Sequence, residues 1–164
     1  MDVQEQAAST GMEPDRVTAV LERLGRRLNV FAGLDDMIVE SAAMGASGWI
    51  AGLVNALPAE SVRLFDLARS GDWAEARALY DWFLPLLRLD TLPKFVQLIK
   101  LVQVEVGRGS ARVRPPRLEL TGVEYADALA LIRDRLALRP RATTGRGARG
   151  ASPATAVGGV ATSR

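Results

Sequence analysis

Leu28–Ala32 reads LNVFA and Gly48–Leu53 reads GWIAGL. Each is a short, mainly apolar run bounded by turn-forming or charged residues, Arg27 and Gly33 in the first case, which suits a buried strand. Between them, Asp35 and Asp36 stand where a helix N-terminus favours negative charge, and the helix they open is expected to run to Gly45. A strand–helix–strand order predicts parallel pairing through a right-handed crossover. Two parallel strands leave both faces and both edges of a sheet without cover, so this unit reads as part of something larger.

Upstream, Pro14 suits the first turn of a helix, and Val17, Val20, Leu21 and Leu24 follow at helical spacing until Gly25. Downstream, everything from Pro58 reads as helical. Pro58–Ser70 closes at Gly71, and Trp73–Leu89 follows with Asp72 as its expected cap and Pro85 as an expected kink or break. Thr91–Val106 stops before Gly107 and Gly109. Arg112–Leu120 holds Pro115 and Pro116 and is expected to be an extended connection. Thr121 with Glu124 forms a capping-box pattern that opens a last amphipathic helix through Leu138. Arg139–Arg164 is built of Gly, Ala, Ser, Thr, Pro and Arg, with Val157 and Val160 its only larger apolar residues, and is expected to be disordered.

With 164 residues, 48% of them apolar, the chain can bury one sizeable core. It contains no Cys, which excludes disulfides and thiolate metal sites and favours an intracellular, cytoplasmic protein. It contains no His either, which removes the commonest general base and metal ligand and leaves carboxylates, Tyr, Ser/Thr and two lysines, Lys94 and Lys100. From Arg139 onward there are five Arg and no acid, so removing them from the net +2 leaves residues 1–138 at −3. The folded part therefore offers no electrostatic footprint for nucleic acid, and five scattered Arg without aromatic residues do not supply one. Met1–Gly11 is polar and carries acids, unlike a secretory leader. Ser41–Ala59 holds 19 residues without a charge, but three Gly, Asn55 and Pro58 fit a buried strand with its turns better than a membrane span.

Phe31–Asp36 (FAGLDD) followed by Gly45–Gly52 (GASGWIAG) resembles the last two barrel strands of the dihydrodipicolinate synthase/N-acetylneuraminate lyase family, which typically read G-x-D-D and then G-A-x-G-x-I-[SA]. Leu53–Pro58 (LVNALP), Gly71-Asp72 and Val113–Leu118 (VRPPRL) before a final helix resemble the C-terminal region of the same family, so the likeness covers about Glu13 to Pro140. It implies an α/β fold: the C-terminal part of a (β/α)8 TIM barrel, contributing the last two parallel strands and their helices, followed by a C-terminal helical bundle. The expected division is the end of the barrel over residues 1–71, a helical region over 72–138 and the tail over 139–164. The resemblance also implies a lyase whose lysine condenses with pyruvate or another 2-oxo acid, with no metal or organic cofactor, in a protein that assembles as a homo-oligomer. Laying the family's I-K-E-S-S-x segment on Ala7–Met12 puts Ala8 at the lysine position. A complete barrel enzyme needs ~250 residues, so the chain is expected to be a truncated member, inactive alone. The competing expectation is a non-enzymatic helical interaction or oligomerisation protein using Trp73–Leu138.

The resemblance nominates two residues as substrate-binding: Gly33, which would let a bound substrate approach the backbone, and Ile50, whose main chain would border the 2-oxo acid. A turn glycine and a barrel-core isoleucine explain the same residues without a ligand. Asp35 and Asp36 suggest a catalytic carboxylate pair, but capping of their own helix is the favoured reading. Lys94 and Lys100 fall on a predicted helix far from the strand ends, which favours a solvated face over a nucleophilic role. Trp73, Tyr80, Trp82 and Phe83 read as packing between the later helices. Val30, Trp49 and Ile50 are expected to face the barrel interior, leaving an apolar patch where the rest of the barrel is absent.

Overall fold

The structure is a computed structural model that describes residues 14–140; Ala8 and the tail from residue 141 lie outside them. Helix α1 (Pro14–Leu24) leads through a short 3-10 turn to strand β1 (Phe31–Ala32). A 3-10 turn over Asp35–Met37 tightens the start of α2 (Ile38–Ala43), and strand β2 (Gly48–Trp49) follows. Apart from the irregular connection over residues 106–121, the rest is helical: a 3-10 turn at Leu53–Asn55, then α3 (Pro58–Ser70), α4 (Trp73–Leu87), a 3-10 turn at Arg88–Thr91, α5 (Phe95–Glu105) and α6 (Gly122–Ala137).

The two strands pair in parallel, with Phe31 opposite Gly48 and Ala32 opposite Trp49. They are shorter than their apolar runs. The Ile50 amide still donates to the Ala32 carbonyl at 2.9 Å, but the amides of Gly52 and Leu53 turn to the Asp35 carboxylate instead of continuing the ladder.

Side-chain alternation corrects the expected orientation of the sheet. Val30 and Ala32 are buried against the helices and Trp49 is half-buried, while Phe31 (52% exposed) and Ile50 (71% exposed) stand on the open face. Successive strand residues point to opposite faces. Val30 and Trp49 therefore do not belong to the barrel-facing set; Phe31 and Ile50 do. Gly48 lies beneath Phe31, and a Cβ added there would stand 2.2 Å from the ring.

The helices form where the apolar stripes predict. On α3, Ser61, Leu64 and Ala68 are buried, and Gly71 ends the helix with φ 81, which is open to glycine at little steric cost. On α4 the buried residues are Ala76, Leu79, Trp82, Phe83, Leu86 and Leu87. Pro85 lies inside this helix without splitting it, so of the two expected outcomes the break does not occur; it removes one backbone donor near the end of a helix whose neighbouring residues Phe83, Leu86 and Leu87 are buried. The expected helix from Thr91 begins only at Phe95, because Leu92 precedes Pro93 and is held extended (ψ 152). Neither expected side-chain cap forms. Asp72 accepts from the Ser70 hydroxyl at 2.6 Å, and Glu124 pairs with Lys94 and not with the start of its own helix.

One apolar core joins the barrel-like and helical portions, running from Val17 through Ala32, Ile38 and Leu53 to Leu64, Phe83, Leu101 and Ile132. Trp82 stacks on Phe83 with ring centroids 5.1 Å apart, and its indole N–H donates to the Arg135 carbonyl at 2.7 Å, tying α4 to the end of α6. Tyr80 reaches back to the Asp36 carbonyl, whereas Trp73 is largely exposed.

Phe83 is fully buried. Phe83→Ala is expected to lower the free energy of unfolding by about 3–5 kcal/mol, read from urea denaturation. Phe31→Ala, on the open face, is expected to change it by less than about 0.5 kcal/mol. Equal losses for the two variants would show that the face carrying Phe31 is covered in solution.

Candidate functional site

Parallel pairing brings the C-terminal ends of β1 and β2 to one side of the sheet, so that Gly33 and Ile50, the residues that follow the two strands, emerge together. The join is secured on its other side as well. Ser47 donates to the Val30 carbonyl twice, from its amide at 2.8 Å and its hydroxyl at 3.0 Å. A Cβ added at Gly33 would meet nothing within 4 Å among the described residues. Close approach inside this chain therefore does not demand that glycine; the demand falls on Gly48, under the Phe31 ring.

Behind this rim lies a carboxylate that holds both loops. Asp35 is wholly buried. Its Oδ1 accepts the Trp49 indole N–H at 3.0 Å and the Gly52 amide at 3.2 Å, and its Oδ2 accepts the Leu53 amide at 2.8 Å. The expected capping role is corrected in its target. No side-chain bond caps the turn that Asp35 itself begins; the carboxylate caps the 3-10 turn at Leu53–Asn55, across the sheet. Burial raises the Asp35 pKa to about 6 against the three donors that lower it, with the nearby charge of Asp90 adding to the rise. Asp36, beside it, offers its backbone carbonyl to the Tyr80 hydroxyl. Burial first, then Glu40, pushes the Tyr80 phenol above its usual range.

The two lysines part company. Lys94 precedes α5 and forms an ion pair with Glu124 at the edge of an apolar groove of about 780 Å³, lined also by Leu89, Leu92, Leu98, Val123 and Leu131. Lys100, on α5, lines a hollow of about 200 Å³ with Gly52 and Asn55 of the chain leaving β2, together with Gln103, Ile99, Val96 and Phe95. It is thus close to a strand end, not remote from both as its helical position suggests. The signal that sequence reading missed is Gly52, which lets α5 and the turn after α4 approach: a Cβ there would come within 2.3 Å of Asp90 Oδ1 and 2.8 Å of Ile99. Among the described residues no group of three acidic, His or Cys side chains is placed to hold a metal ion, and no helix is long and apolar enough to cross a membrane.

Comparison with known proteins is consistent with this geometry. Residues 6–134 match the model of the dihydrodipicolinate synthetase family. A probable 5-dehydro-4-deoxyglucarate dehydratase from Acinetobacter baumannii is 33% identical over 124 residues, which is 72% of this chain and 41% of that protein. A 4-hydroxy-tetrahydrodipicolinate synthase from Acidobacterium capsulatum is 30% identical over 68% of this chain and 37% of its own length. The crystal structure of a chloride-inhibited dihydrodipicolinate synthase from Acinetobacter baumannii, complexed with pyruvate, superposes with a TM-score of 0.68 at 20% identity, covering 75% of this chain and 42% of that one. The chain thus spans about 41% of the length of the first of these curated relatives, and its fold is that of part of a barrel.

The Asp35 clamp has a testable sign. Its folded pKa of about 6 lies above the ordinary 3.8, so the folded state binds this proton more tightly. The associated stability is fully present below about 3.8 and is lost as pH rises through about 6. In Asp35→Asn one donor faces an amide N–H₂ in place of an oxygen, and the variant is expected to lose about 1–3 kcal/mol. The difference between the parent and variant stability curves is expected to fall between pH 4 and pH 6; a flat difference would remove Asp35 as a titrating group.

Proposed function

Since the chain belongs to the dihydrodipicolinate synthetase family, we propose that it forms the closing two strands and following helices of a (β/α)8 Schiff-base lyase acting on pyruvate or another 2-oxo acid, and that these 164 residues alone lack the reactive amine. In that chemistry an unprotonated lysine adds to the substrate carbonyl, water leaves, and the iminium withdraws electrons from the neighbouring carbon while a bond there breaks.

What supports the reading is the position of Gly33 and Ile50 at the C-terminal ends of adjacent parallel strands, the rim where barrel enzymes build their sites. On this proposal Gly33 admits the bound substrate against the backbone and the main chain of Ile50 borders its 2-oxo acid group. Both sites are open: a side chain added at Gly33 would meet nothing within 4 Å among the described residues, and Ile50 is largely exposed. The proposal places the nucleophile elsewhere. Ala8, where the family's lysine would align, has no amine; Lys94 is committed to Glu124, and Lys100 lies beside the chain beyond β2. Assembly of the completed enzyme as a homo-oligomer belongs to the same proposal.

Incubating the 164-residue chain with pyruvate and borohydride, followed by intact-protein mass measurement, tests it. No stable adduct is expected. A reduced pyruvate adduct on Lys94 or Lys100 would overturn the statement that the chain carries no competent nucleophile.

A further inference from the structure

The hollow beside Gly52 is lined by the polar side chains of Asn55, Lys100 and Gln103 and by apolar ones. Lys100 is one of only two lysines in the chain and, unlike Lys94, makes no ion pair among the described residues. Asn55 Nδ2 donates one N–H to the Gly52 carbonyl at 2.8 Å, and Gln103 Nε2 donates one to the Asn55 carbonyl at 3.4 Å. Each amide N–H₂ carries a second hydrogen that these bonds do not use. Phe95, Val96 and Ile99, on the same helix as Lys100 and Gln103, add apolar lining. Gly52 in turn is positioned by Asp35, so the hollow is fixed to the end of β2 that also presents Ile50.

We propose that this hollow is a carboxylate subsite, in which Lys100 and the side-chain amides of Asn55 and Gln103 receive the distal carboxylate of a dicarboxylic 2-oxo acid while Val96, Ile99 and Phe95 contact its carbon chain. The inference rests on the 2-oxo-acid reading above and narrows its substrate class. A cation with spare amide donors suits an anion with several acceptor lone pairs, and a volume of about 200 Å³ accommodates one end of a small acid and not a large ligand. Asp90 also approaches Gly52, and burial raises its pKa from the ordinary carboxylate value. It forms no ion pair with Lys100 among the described residues.

The test uses the ¹⁵N-labelled 164-residue chain titrated with glutarate, 2-oxoglutarate, pyruvate and sulfate. Both dicarboxylates are expected to move the Gly52 amide and the Asn55 and Gln103 side-chain amides. Lys100→Gln is expected to weaken that binding by about 10-fold, with Lys100→Arg staying within about 3-fold of the parent. An unchanged titration in Lys100→Gln, no response to either dicarboxylate, or an equal response to sulfate would each overturn the subsite. Glutarate has no oxo group and so probes the subsite alone. A borohydride-trapped adduct would sink the reading of the chain as lacking a nucleophile and leave the subsite standing, so the two failures are distinguishable.

Discussion

A single buried carboxylate holds the C-terminal end of the sheet together. Asp35, just past β1, draws in the indole N–H of Trp49 on β2 and the amides of Gly52 and Leu53 beyond it. An uncompensated carboxylate in such a place would be strongly unfavourable, and a free pair of amides at the start of a buried turn would be costly as well. Each supplies what the other lacks. The arrangement stops the β2 ladder after Ile50, turns the chain into the helical part, and sets Gly52 where α5 can lie against it.

The sheet itself contributes little. Two residues of pairing on each strand cannot sustain a fold, and in this chain the helices sustain it. The core runs from Val17 on α1 to Ile132 on α6, with Phe83 and Leu86 of α4 among its fully buried side chains. That support lies on the face carrying Val30 and Ala32. The other face, with Phe31 and Ile50, has no covering element among the described residues, although Phe31 partly closes it by lying over Gly48. The openness suits a unit that matches only 41% of the length of such a relative, since a barrel interior is filled by side chains from all of its strands.

Much of the organisation was legible because it is local. Apolar spacing located α1, α3, α4 and α6, and Gly71 marked a helix end through its left-handed backbone. The strand–helix–strand order correctly implied parallel pairing. The errors came where distant groups competed for a local one. Glu124 has the spacing of a capping box but a stronger partner in Lys94, and Asp35 has the position of a cap for its own helix but amides to satisfy across the sheet. Pro93 was a local signal, and its effect on Leu92 delayed α5 to Phe95.

By itself the sequence determined the order of the helices among the described residues, the two short strands and the likeness to one lyase family, since periodicity, turn residues and ordered motifs are properties of neighbouring residues. Only the tertiary structure decided which strand face is open, what Asp35 holds and that Lys100 lies beside Gly52. Those outcomes depend on contacts between residues far apart in the chain, such as Gly52 with Ile99 and Asp35 with Leu53, where backbone approach and burial select the partner.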